Sequence, residues 1–174
     1  MEHFLFLQRT RGESGQAGVP VQTEVHMKIA LKYGLVVTAV VVAWIVIVRQ
    51  LMGVGADSKV NVIAPILFNV AQIVAIFLGM IRRKDEAGGA LSFKDGLKTG
   101  VGISFVYAAS ACLFFVIEYL IAGPKLLLAE AGPSDRPLWQ TAAFAYAGLF
   151  LGSLIFGVIY STVISFFLAK RNRL

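Results

Sequence analysis

Glu118 is the one acid inside the long apolar stretches of this chain, and Arg49 closes the first of them. An ionisable side chain within a hydrocarbon layer is costly, so it marks either an ion or proton site or a charge placed to reach water. Arg49 stands 17 residues past Lys32 and Glu118 stands 20 past Lys98, which gives the two similar depths. The spacing favours an ion pair at the membrane interface over a transport site. A second polar group is Asn69 and Gln72, three apart and on one helix face. Amides in that setting bond across to a neighbouring helix, with Tyr107, Ser104 and Ser110 as partners, or else line a polar ligand cavity. Catalysis has no comparable set. The two histidines, His3 and His26, lie outside the apolar stretches, and the sequence has no G-x-S-x-G, H-E-x-x-H or G-x-x-x-x-G-K pattern. The single cysteine, Cys112, sits in an apolar run and reads as a packing residue. No enzyme, metal or cofactor is expected.

The elements that must hold these residues are membrane helices. The chain has 174 residues, 57% of them hydrophobic and 15% charged, with a mean hydropathy of +0.76. That is too apolar for an ordinary soluble domain. Four apolar runs end at charged residues and lack the alternation of a membrane barrel. They predict an all-α membrane protein, a bundle of four transmembrane helices over about 29–51, 60–82, 93–122 and 140–170 within a single domain, 27–174. The net charge of +6 comes from residues at the ends of these runs, which points to lipid headgroups and away from nucleic acid. Twelve Lys and Arg fall on the side holding both termini and the central loop, against four on the other. By the excess of positive charge on the inner side, both termini are expected in the cytoplasm. Lys28, Lys32, Arg82, Arg83, Lys84, Lys94, Lys98, Lys170 and Arg171 would then face headgroups at the cytoplasmic surface.

"MKIALKYG" at 27–34 and "FKDGLKTG" at 93–100 are nearly one phrase. Both run into apolar sequence, which suggests a parallel repeat of two helical hairpins. In the second copy Ser92 and Asp95 resemble a capping box, with a helix starting just after Ser92. Beyond it, small residues recur at intervals of four. The third run has Gly100, Ser104, Ala108 and Cys112, and the fourth has Ser153, Gly157, Ser161 and Ser165. This spacing lets membrane helices approach closely, so the third and fourth helices should pack together. Gly34 should admit a close neighbour at the entry of the first. Gly148 and Gly152 form a separate small face for a further helix or a second copy of the protein. On the opposite side, the loop "GPKLLLAEAGPSDRP" predicts a short amphipathic helix opened by Pro124.

Residues 1–26 differ from the rest. "HFLFL" is too short for a signal-peptide core, and the remainder of the segment is polar and Gly-rich, the composition of a disordered extension. Met27 heads the repeated phrase and could be the natural start; the alternative is a flexible cytoplasmic tail. The stretch "IRRKDEAGGALSFKDGLKTGVGIS" resembles domain-of-unknown-function family 4199, whose members typically begin with a phrase like "MKIALKYG". The resemblance is carried above all by Gly89, Leu91, Ser92, Phe93, Gly96, Leu97, Lys98 and Gly100. It implies a four-helix protein of the bacterial inner membrane and supplies no activity or catalytic residues. The function expected is a non-enzymatic structural or accessory subunit in the bilayer, joined to itself or to a membrane-protein partner. The alternative is a small oligomeric transporter or channel whose pathway uses Glu118 and the Asn69/Gln72 face.

Overall fold

The computed structural model describes residues 19–53, 60–124, 127 and 135–170; the side chains of 19–23, 49, 50, 60–62, 122 and 170 fall outside that description. Four long helices account for nearly all of it: α1 (Val19–Ile45), α2 (Val60–Glu86), α3 (Phe93–Ala122) and α4 (Leu138–Lys170). A π-helical turn, Val46–Leu51, extends α1. Among the described residues there is no strand. Each of the four contains a span long and apolar enough to cross a bilayer. The start of α1, the α2–α3 loop and the end of α4 share one end of the bundle, the terminal end. The opposite end is the distal one.

Two boundaries differ from expectation, for local reasons. α1 reaches back to Val19, so residues 19–26 are helical where a disordered extension is expected. Lys28 pairs with Glu24 one turn earlier at 2.6 Å, and His26 is buried against α3, so this turn is tied to the bundle. α2 continues to Glu86, where Arg82 and Glu86 pair at 3.0 Å along the helix surface. It stops at Gly88 and Gly89, both at positive φ. α3 then begins with Ser92 as cap: its Oγ accepts from the Asp95 N–H at 3.1 Å. The shorter aspartate does not close the box on the Ser92 amide; its carboxylate accepts from the Ser92 hydroxyl at 2.7 Å.

α3 is the central helix. It touches all three others, with its most extensive contact to α4, while α1 and α4 do not touch among the described residues. α3 and α4 run antiparallel with small residues in register. A Cβ on Gly96 would meet Ser165 Oγ at 2.6 Å, one on Gly100 would meet the Ser161 side chain, and one on Gly157 would overlap Ser104. Each step of four up α3 is matched by a step of four down α4. Ser104, Ala108, Ser161 and Ser165 are all fully buried there. α1 and α3 run parallel with the same regularity: Gly102 faces Ala30, a Cβ on Gly34 would meet Val106 at 2.7 Å, and the Thr38 and Ser110 hydroxyls bond at 2.6 Å. Val37, Ile76, Met80 and Ile103 fill the space between. The repeated glycines therefore have different neighbours, Gly34 on α3 and Gly100 on α4. α2 and α3 touch whereas α1 and α4 do not, so the two hairpins do not pack as symmetric copies.

Candidate functional site: a cavity in the distal half

A cavity of about 640 Å³ occupies the distal half of the bundle, well within the range of small-molecule sites. All four helices line it. α1 gives Val41, Trp44 and Ile45, and α2 gives Pro65, Phe68, Asn69 and Gln72. α3 gives Tyr107, Phe115 and Glu118, and α4 lines it from Thr141 to Phe156. At about 1.5 Å per residue, that stretch of α4 covers roughly 22 Å, more than half the thickness of a hydrocarbon core. The walls are largely aromatic and aliphatic, and polar groups sit at the two ends.

The inner end is a hydrogen-bonded floor. Gln72, 3% exposed, donates from Nε2 to Ser104 Oγ at 3.2 Å and to the Ser153 carbonyl at 3.0 Å, tying α2 to α3 and α4. Tyr107 is buried beside it. Asn69 donates to the Pro65 carbonyl at 2.7 Å and accepts from the Tyr160 hydroxyl at 2.8 Å. The two amides thus bond across helices and also border the cavity. Gln72 and Asn69 satisfy part of their capacity this way, since an amide offers two donors and an acceptor with two lone pairs.

The outer end carries opposite charges. Glu118 is half-buried, and Arg136 is exposed with its guanidinium 4.9 Å from the Phe144 ring centroid. Leu127, 6% exposed, also borders this end. The rest of the expected amphipathic helix, at 125–126 and 128–132, lies outside the described residues, as does the Arg49 side chain expected to pair with Glu118.

The cavity is not sealed from the bundle surface. Among its lining residues, Pro65 on α2 and Phe144, Gly148 and Phe156 on α4 are exposed. Apart from Arg136 at the outer end, the exposed part of the lining thus belongs to α2 and α4. A Cβ added to Gly148 or Gly152 would meet nothing within 4 Å. These glycines border the cavity and are not buried against a helix of the same chain.

The remaining candidates sort by depth. Gly34, Gly100, Gly157, Ser161 and Ala108 are buried in the packed half. Lys28, Lys32, Arg82, Lys94 and Lys98 are exposed at the terminal end, and Lys84 is half-buried. The Lys170 side chain and Arg171 lie outside the described residues. Arg83 differs from its neighbours: it is turned into the bundle and only 6% exposed, where a surface position is expected. His26, expected within a disordered extension, is 7% exposed with Nδ1 3.0 Å from Thr99 Oγ1. Sequence reasoning misses Tyr160 and the Ser153 carbonyl as partners of the amides. Tyr160 carries a usable signal, a phenol in an apolar helix that must find an acceptor. A backbone carbonyl on another helix leaves no such signal.

Compared with known proteins, residues 32–128 match the family described as a protein of unknown function, DUF4199. No curated protein and no solved structure matches the chain.

Proposed function

The chain belongs to the DUF4199 family of proteins of unknown function, and from that premise we propose that it is a non-enzymatic, multi-pass protein of the bacterial cytoplasmic membrane whose distal cavity holds a membrane-borne amphipathic molecule. The cavity carries this reading. It has an apolar wall, polar groups at both ends and exposed lining residues on α2 and α4, on which we base an opening toward lipid. A molecule with an acyl or isoprenoid body and a polar head suits that distribution, the head lying beside Glu118 and Arg136 at the depth of the interface. The excess of Lys and Arg at the terminal end supports a cytoplasmic location for both termini. The cavity then opens to the outer leaflet. As an accessory subunit, the protein would hold this molecule for itself or present it to a membrane partner. The near-duplicate phrases at 27–34 and 93–100 support an origin by duplication of a hairpin whose copies have since diverged in packing.

Trp44 lines the cavity and Trp139 lies exposed near the start of α4, so the site has its own fluorophore. In a Trp139→Phe background, a lysophospholipid with a brominated chain should quench Trp44 saturably. Gly152→Leu, which fills the cavity from α4, should abolish the saturable component while leaving the helical content intact. Quenching that rises linearly with lipid, and equally in the filled variant, would show that Trp44 meets bulk lipid alone and would end this reading.

A further inference from the structure

Arg83 presents a physical problem that the cavity does not solve. It lies at the terminal end of α2, eleven residues beyond Gln72, with the packed half of the bundle between it and the cavity. It is 6% exposed, and its Nε has no hydrogen-bond partner. A guanidinium removed from water needs a counter-charge and acceptors for its donors. Asp95, whose charge like that of Arg83 acts on the His26 ring, makes its own contacts. Asp95 accepts from the Ser92 hydroxyl at 2.7 Å and stands 3.9 Å from His26 Nε2. Among the described residues, the ion pairs at this end are Lys28–Glu24 and Arg82–Glu86, with the His26 ring beside Asp95, and Arg83 is in none of these contacts. Lys98 adds to the excess, since its charge and that of Arg83 both act on the buried His26 ring. The adjacent Arg82 shows the ordinary alternative, being exposed and paired to Glu86 at 3.0 Å.

We propose that the terminal end of the bundle, between α1, α2 and α3, binds a phosphate oxyanion on Arg83, with Lys98 and the surrounding basic residues supplying the attractive field. The planar guanidinium matches two phosphate oxygens at once, which an ammonium does not. The position suits a lipid headgroup, because basic pockets between membrane helices at a charged interface take phospholipid heads. Free phosphate has the same oxyanion chemistry, so the test separates the two sources. This inference is independent of the cavity ligand.

Purified, delipidated full-length protein in neutral detergent is heated alone, with phosphatidylglycerol, with dioleoylglycerol, and with inorganic phosphate. Phosphatidylglycerol in large excess should raise the unfolding midpoint by about 5 °C or more, and dioleoylglycerol, which lacks phosphate, should not. Arg83→Met should lose this response while unfolding no earlier than wild type in the absence of lipid, since it removes an uncompensated buried charge. The paired surface variant Arg82→Met should keep the response. A shift produced equally by inorganic phosphate assigns the site to free anion; one confined to phosphatidylglycerol assigns it to lipid. Should Arg83→Met fail to accumulate, Arg83→Lys, which keeps the charge and loses the fork, should bind more weakly than wild type. Equal shifts with the two lipids, or no shift with any phosphate, would overturn the proposal. So would equal responses from wild type and the Arg83 variants.

Discussion

The two halves of the bundle use similar residues and reach opposite results. In the terminal half, small residues of α4 meet small residues of α3: Ser165 lies against Gly96, Ser161 against Gly100, and Gly157 against Ser104. The backbones close and nothing fits between them. In the distal half, α4 carries a second pair of small residues, Gly152 and Gly148, one position off that stripe, and they border open space. Across that space α2 presents Phe68, Asn69 and Gln72, together with Pro65. A small residue draws helices together only when the facing helix offers a complementary surface; opposite bulky side chains it leaves a void. Gln72 marks the change. Its amide closes the last polar layer above the packed half and forms the floor of the cavity.

This contrast can be broken from either side, beginning with the largest effect. Gly100→Leu forces four heavy atoms into the Ser161 side chain and Met80, where even a Cβ does not fit. It should destabilise the bundle by about 3 kcal/mol or more, measured by thermal unfolding in detergent, or prevent accumulation altogether. A normal midpoint would mean that α3 and α4 are not in the contact described. Gln72→Leu acts at the boundary. It removes two interhelical hydrogen bonds and should cost about 1 kcal/mol, the usual scale for such bonds in membrane proteins. Because Ser104 is one of the two acceptors, Ser104→Ala should cost less in the Gln72→Leu background than in wild type. Fully additive losses would remove the amide from the floor.

The packed half is more legible in the sequence than the open half, and the reason is physical. Stripes at intervals of four on the third and fourth runs report directly on close approach, and α3 against α4 is the most extensive contact in the structure. Gln72 to Ser104 is likewise readable, because a buried amide must find a partner and few hydroxyls lie at its depth. A cavity has no residue of its own. It arises from a mismatch between faces, which depends on helix rotation that the sequence leaves undetermined. The same uncertainty hides Arg83. It adjoins Arg82 in a basic cluster, and only the rotation of α2 decides which of the two is buried. The helical turn before Met27 is obscured by its polarity. His26 belongs to α1 because Thr99 on α3 receives it.

The most direct test of the contrast uses one substitution at two glycines of the same helix, five residues apart. A Cβ at Gly157 would overlap Ser104 and come within 3.1 Å of Gln72 Nε2, whereas one at Gly152 would meet nothing within 4 Å. Thermal unfolding of Gly157→Ala and Gly152→Ala in the same detergent should therefore diverge. The first should lose about 1–3 kcal/mol to overpacking; the second should be unchanged or gain a few tenths of a kcal/mol from better helix propensity. Equal midpoints for the two variants, or a larger loss at Gly152, would contradict the division into a sealed half and an open one.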